Sequence, residues 1–389
     1  MNNLFFQEVF MSKKILILFF IAFICVTVFC FAVSSCGTSK GASGGRELPV
    51  LKDLYKDYFL VGNIVNGRYL SNEYLTLLLT HFNTVTCEND MKPDHLAPRV
   101  KGGQYNWANA DRMVNEMSAH GIKIHGHTLV WHNQTHKWMF EGTPAQVKEN
   151  MVNHINTVLG HYKGKIVSWD VVNEAVLERI NPGEQNRDWR TQLRPDSGWL
   201  KALGADYIEL AFRTAREADP DARLYYNDYN LDNQRKSQVV ANMVKELNDK
   251  YKAEGNTRNL IDGLGMQAHY GTSTSVVNVR SPIERFISVG VLVDISELDV
   301  EIKSVGSGNF ARGKNSVTTD TEQRIQAIKY AELFSLFKEY GGHIPRVTMW
   351  GMDDENSWKS LGNPCLWDAD LYPKQAFWAV ADPAKTLGK

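Results

Sequence analysis

Two glutamates, Glu174 in the run WDVVNEA and Glu297 in the run VDISELDVE, each close an apolar segment that reads as a buried strand. Cleaving a glycosidic bond takes two carboxyl groups on either side of it, one protonated to assist the leaving oxygen and one ionised. A glutamate at the exit of a buried strand is held by the scaffold rather than by a mobile loop. The neighbours of the two differ. Asn173, just before Glu174, is suited to hydrogen-bonding a sugar 2-hydroxyl, a contact that strengthens in the transition state. His269 and Asp299 can form a hydrogen-bonded chain that holds Glu297 ionised. A single strand-end glutamate is more often a salt-bridge partner or a solvated group, so the pair needs a fold that brings it together.

The pattern along the chain supplies one. Candidate strands lie at Phe59–Val65, Thr84–Glu88, Lys123–Val130, Ile166–Asn173, Arg223–Asn227, Gly263–His269, Val291–Leu298 and Arg346–Gly351. Helical stretches such as Ala110–His120, Pro144–His161, Ala205–Ala218, Ser237–Tyr251, Ser281–Val289 and Glu322–Tyr340 alternate with them. Strands alternating with helices predict a parallel α/β architecture. Eight repeats favour a single (β/α)8 TIM barrel over residues 48–387. An open doubly wound sheet is the competing fold, but no Gly-rich phosphate loop follows the first strand. In a barrel the active site gathers at the C-terminal strand ends. That rim would collect Glu88 and Asn89 from the second strand, His127 and Trp131 from the third, and Asn173 and Glu174 from the fourth. Asp228 and Tyr229 follow from the fifth strand, Gln267 and His269 from the sixth, Glu297 and Asp299 from the seventh and Trp350 from the eighth.

Other side chains sharpen or compete with this reading. The chain has 10 tryptophans, and Trp131, Trp350 and Trp358 fall at rim positions where a ring can stack on the apolar face of a sugar. Trp169 and Trp378 read as core, the usual place for so large a side chain. His125 and His127 with His132 and His136 offer a metal-dependent hydrolase as an alternative, completed by His269 and Asp353. Residues two apart on a strand share a face, so His125 and His127 pass that test. The metal reading leaves the carboxylate pair unexplained, and no metal or other cofactor is expected. A non-catalytic sugar-binding barrel would keep the tryptophans and need neither glutamate. No G-x-S-x-G elbow and no G-x-x-x-x-G-K-[ST] loop is present, which removes serine hydrolases and P-loop nucleotide enzymes.

Composition fits a folded domain, 43% hydrophobic and 22% charged with a net charge of −1. Nothing in that balance suits nucleic acid or an anionic membrane surface. Lys13 and Lys14 precede the uncharged apolar run Ile15–Val33 and then Ser34, Ser35 and Cys36, the pattern of an export signal over residues 1–36. Val33-Ser34-Ser35-Cys36 resembles a bacterial lipobox, with Cys36 the lipidated residue, so membrane attachment is expected only through an N-terminal lipid anchor. A retained transmembrane anchor and simple secretion are the alternatives. All three carry the domain out of the cytoplasm. Residues 37–47 read as a flexible linker. Cys87 and Cys365 are expected as buried free thiols.

The runs GHTLVWH (Gly126–His132), WDVVNEA (Trp169–Ala175), YYNDYN (Tyr225–Asn230), GLGMQAHY (Gly263–Tyr270) and ISELD (Ile295–Asp299) resemble the signature runs of glycoside hydrolase family 10. ENDMK (Glu88–Lys92) and MWGMDDENSW (Met349–Trp358) fit as well, and the resemblance covers about residues 50–383. It implies a (β/α)8 barrel and an endo-β-1,4-xylanase acting on xylan and xylo-oligosaccharides, expected as a monomer. Glu174 matches the family's general acid/base and Glu297 its nucleophile, with retention of configuration and carboxyl groups about 5–5.5 Å apart. Glu88, Asn89, Lys92, His127, Trp131, Asn173, Gln267, His269, Trp350 and Trp358 match residues lining the glycone side of the cleft. Tyr229 lies near the leaving-group side. Trp350 and Trp358 would crowd the space where glucose carries its hydroxymethyl. Two departures are small: His125 stands where arginine is frequent and Ser296 where threonine is. The polar stretch Lys303–Thr319 reads as a rim insertion near the distal subsites.

Overall fold

The computed structural model describes residues 48–302 and 318–389. The leader with Cys36 and the tether lie outside the described residues, as does the polar stretch after the seventh barrel strand as far as residue 317. Nine parallel strands are present: β1 (Leu60–Val65), β2 (Thr84–Cys87), β3 (Lys123–Trp131), β4 (Ser168–Asn173), β5 (Arg223–Asp228), β6 (Gly263–Met266), β7 (His269–Gly271), β8 (Leu292–Glu301) and β9 (Arg346–Met349). Eight of them form a ring in the order β1-β2-β3-β4-β5-β6-β8-β9, closed by β9 pairing with β1, Arg346 opposite Leu60. This is the (β/α)8 barrel. The extra strand β7 pairs with the far end of β8, His269 opposite Asp299. Buried on both faces, most of these strands are near-continuous apolar runs, as parallel strands must be.

Eight helices cover the outside: α1 (Asn72–His81), α2 (Ala108–Ala119), α3 (Pro144–Tyr162), α4 (Tyr207–Ala218), α5 (Gln234–Ala253), α6 (Val276–Ser288), α7 (Asp320–Glu339) and α8 (Gln375–Ala381). Their starts are written locally. Thr143 with Gln146, and Thr319 with Glu322, form reciprocal capping boxes that satisfy free N–H groups at α3 and α7. The helix expected at Ser281–Val289 begins earlier, at Val276, and takes Pro282 into its interior. Proline removes the hydrogen bond that would reach Asn278 O. That carbonyl accepts instead from Gln234 Nε2 of α5 at 3.0 Å, so the helix continues.

Close packing explains Gly126 in β3. A Cβ there would lie 2.1 Å from the Trp169 ring, which is fully buried between barrel and helices. Inside the barrel, Arg346 of β9 reaches Asp294 of β8 at 2.8 Å and Thr86 of β2 at 3.0 Å. This buried polar layer marks the inward-facing positions below the rim.

Three strands then break their alternation. Asp294 faces the axis, and so does Glu297 three residues later, whereas regular pleating gives one face to residues an even number apart. The β8–β9 register shifts between Ile295 and Leu298. Matching shifts occur in β3–β4 between His127 and Val130 and in β4–β5 between Asp170 and Val172. Two expected strand ends move as a result. The seventh barrel strand runs on to Glu301, so Glu297 and Asp299 lie within it. The sixth stops at Met266 because Ala268 turns left-handed, φ +60°.

Candidate active site

Glu297 is 5% exposed, and both its oxygens are engaged. Asn227 Nδ2 donates to Oε1 at 2.8 Å and His269 Nε2 lies 3.2 Å from Oε2. The other ring nitrogen of His269 meets Asp299 Oδ2 at 2.8 Å. Burial alone would pull the imidazole down, but the Asp299 charge and the two hydrogen bonds hold it up at about 9. At neutral pH it is therefore a cation donating from both nitrogens. Burial pushes Glu297 up, yet the His269 hydrogen bond and nearby charge bring it below the ordinary carboxylate value. Asp299, also buried, is held low by His269, and it accepts from Trp358 Nε1 at 3.0 Å. Lys359 stands 3.7 Å from its other oxygen. The chain expected behind Glu297 is present, with Asn227, Trp358 and Lys359 added.

Glu174 is held differently. It follows the last residue of β4 and adopts a left-handed backbone, φ +54°. Its N–H donates to Asn227 O at 2.9 Å, and Arg194 Nε donates to its carbonyl at 2.9 Å. The next two N–H groups, of Ala175 and Val176, both donate to the Tyr226 hydroxyl, at 3.0 and 3.1 Å. Tyr226 donates in turn to Asp228 at 2.6 Å, and Asp228 pairs with the fully buried Lys236 at 2.6 Å. The carboxylate accepts from Trp131 Nε1 at 3.0 Å and from Gln267 Nε2 at 2.9 Å.

Side-chain amides link the two glutamates. Asn227 meets Asn173 at 3.0 Å, Gln267 Nε2 lies 3.4 Å from Asn173 Oδ1, and Gln267 reaches Glu174. Ser296 Oγ donates to Asn227 Oδ1 at 2.7 Å and so fixes which way that amide points. A Cβ at Gly265 would lie 2.2 Å from the same Oδ1, so the glycine in GLGMQAHY makes room for this bridge.

The remaining expected residues surround the pair. Lys92, largely buried and lowered by that burial, feels the opposing charges of Glu297, Glu88 and Glu174. Its Nζ donates to Asn89 at 2.9 Å and Gln134 at 3.0 Å and stands 5.2 Å from the Trp131 ring. Glu88 accepts from Asn66 at 2.8 Å. His127 bonds Asp170 at 2.9 Å and packs edge-on against Trp350, centroids 5.7 Å apart. Trp358 packs against His269 at 4.7 Å. Tyr229 accepts from Arg194 and lies under Lys236, 4.0 Å from its ring. His125 lies 3.1 Å from the same oxygen of Asp170 that His127 uses, and burial lowers its basicity. Both histidines are thus turned to one carboxylate, and among the described residues no three His, Cys, Asp or Glu converge in metal-ligating geometry. Cys87 and Cys365 are buried free thiols.

Sequence reasoning passed over Asn227, Tyr226, Asp170 and Arg194. The first two stand in the quoted run YYNDYN, where a polar residue inside an apolar strand was the available signal. Arg194 lies in an irregular segment that carries no periodic signal.

Comparison with known proteins follows the same residues. The family model for glycosyl hydrolase family 10 matches residues 50–383. Endo-1,4-beta-xylanase A of Thermotoga maritima is 37% identical over 351 residues, 87% of this chain and 31% of that protein. The chain thus spans under a third of that relative's length. Beta-1,4-xylanase of Dictyoglomus thermophilum is 37% identical over 356 residues, covering 89% of this chain and 94% of the relative. Among solved structures, a family 10 xylanase with a bacterial Ig-like domain from termite gut superposes with a TM-score of 0.79 at 39% identity. It covers 89% of this chain and 80% of that one.

Proposed function

Because the chain belongs to glycosyl hydrolase family 10, we propose that it is an endo-β-1,4-xylanase that cleaves internal bonds of xylan with retention. The observation that carries this reading is the unequal treatment of two linked glutamates. Glu297, buried and held ionised by His269, attacks the anomeric carbon while Glu174 gives its proton to the departing oxygen. Water then hydrolyses the glycosyl-enzyme, with Glu174 acting as base. Asn173 bonds the sugar 2-hydroxyl, Glu88, Asn89 and Lys92 bind hydroxyls further out, and Trp131, Trp350 and Trp358 pack on the rings. Tyr229 serves the leaving-group side.

Soluble xylan should release reducing ends, an outcome that a binding-only barrel cannot give. NMR of the first turnover should show β-configured product; initial α product would overturn the mechanism. Exhaustive chelation should leave the rate unchanged, which tests the His125/His127 metal reading. The proposal extends to location: the chain is exported and held by a lipid on Cys36. Labelled palmitate should enter the full chain and not its Cys36→Ser variant.

A further inference from the structure

Past Lys92, the mouth of the barrel opens into a cavity of about 700 Å³ that takes no part in the bond cleavage described above. That volume is in the range of small-molecule sites. Its two main walls, residues 94–99 and 134–137, are fastened together. Asp94 N–H donates to Gln134 O at 2.8 Å, and Trp138 Nε1 donates to Pro98 O at 2.8 Å. Gln134 is a shared partition: its backbone is left-handed, φ +39°, and its side chain accepts from Lys92 on the cleft side. The cavity therefore adjoins the glycone subsites through one residue.

The lining is polar and locally cationic. Arg99 and Lys137 carry exposed positive charges. The acidic lining residue, Asp94, is already engaged by His95 at 2.7 Å. His136 Nε2 is buried with no hydrogen-bond partner, and the amides of Gln104 and Asn106 complete the lining. The chain as a whole has a net charge of −1, so two unneutralised cations around one rigid cavity are a local feature.

We infer that this cavity receives a uronic acid branch carried on the otherwise neutral polysaccharide. Arg99 and Lys137 meet its carboxylate, and Gln104, Asn106 and His136 meet its hydroxyls. The inference rests on the xylanase reading and assigns that site an acidic decoration.

The test is a double variant, Arg99→Gln with Lys137→Gln, both exposed and outside the catalytic machinery. Substrates are a xylo-oligosaccharide bearing one glucuronic acid branch and its unbranched counterpart. In the variant, kcat/KM for the branched substrate should fall roughly tenfold, carried by KM, the scale of two exposed ion pairs. The unbranched substrate should be cleaved as before, and added salt should erase the native chain's preference. Equal losses on both substrates, or an unchanged ratio, would overturn the inference. Calorimetric titration of the branched oligosaccharide supplies a reading independent of turnover. Weaker binding by the variant supports the cavity even if neither substrate is cleaved and the xylanase reading fails. Equal binding by both proteins sinks the cavity and leaves that reading intact.

Discussion

Glu297 sits inside a strand, and Glu174 one residue beyond another. The first lies on β8 at the point where the alternation slips, fully enclosed, with a charged imidazole on one oxygen and an amide on the other. The second stands on a left-handed residue, half-buried, and its carboxylate meets only the neutral donors Trp131 and Gln267. An anion that must stay ionised in a dry site needs a counter-charge built in. A group that gives up a proton and takes it back needs access to water and neutral partners. The two surroundings separate the two roles more clearly than the strand-end position shared by both.

The comparison breaks most visibly at Glu297→Ala. Without the nucleophile, turnover of xylan should fall on the order of 10⁵-fold, with no change in the thermal transition beyond that of the lost buried contacts. Glu174→Ala should cost less, about 10²–10⁴-fold on xylan. On aryl xylosides with good leaving groups the first step should survive and the second slow, giving a burst of released phenol. A uniform loss across substrates would show that the two glutamates are not differentiated.

Tyr226→Phe probes the scaffold of Glu174 alone. It removes the acceptor for two buried N–H groups and the donor to Asp228 of the buried Asp228–Lys236 pair. Unfolding in denaturant should show a loss of about 2–4 kcal/mol. If this hydroxyl positions Glu174, kcat should fall roughly tenfold with KM nearly unchanged. A loss of stability with full kcat would leave Tyr226 a structural residue only.

On the Glu297 side the matching probe is pH. His269 is held at about 9 in the folded chain, above the value of about 6.5 for a free histidine. Its contribution to stability is whole below about pH 6.5 and drains away as pH rises through about 9. Glu297 and Asp299, both depressed, behave oppositely: their contribution is present above the ordinary carboxylate range and lost as pH falls through the folded values. Calorimetry should find Tm falling by a few °C between pH 6.5 and 9. His269→Gln should flatten that limb, and an unchanged slope would remove the imidazolium from the account.

Much of this was legible in the chain. Apolar runs alternating with amphipathic helices point to the barrel, and the barrel sends Glu88, His127, Asn173, Gln267 and Trp350 to one rim before any coordinates are consulted. The slips in β3, β4 and β8 were not legible. Period-two reading assigns faces, and one added residue reverses the assignment without leaving a compositional trace. The same limit hid the left-handed turns at Glu174 and Ala268, because neither residue is the glycine that usually announces one. Asn227 was visible as a polar residue in YYNDYN. Its reach to β4 and β8 depends on the slip that turns both Ser296 and Glu297 toward it.

That last contact gives the smallest and most discriminating effect. Adjacent residues of a regular strand point to opposite faces, yet Ser296 and Glu297 both bond Asn227, at 2.7 and 2.8 Å. Ser296→Ala removes one hydrogen bond, about 0.5–1.5 kcal/mol in stability, and frees the Asn227 amide to rotate. A rotated amide would present its oxygen to the Glu297 carboxylate, weakening the ionised form. The acid limb of kcat/KM should therefore move to higher pH, with the plateau reduced about two- to threefold, while Ser296→Thr, which keeps the hydroxyl, should leave the limb where it was. If Ser296→Ala lowers stability without moving the limb, Asn227 is held by Asn173 alone, and the slip in β8 serves packing rather than the charge of Glu297.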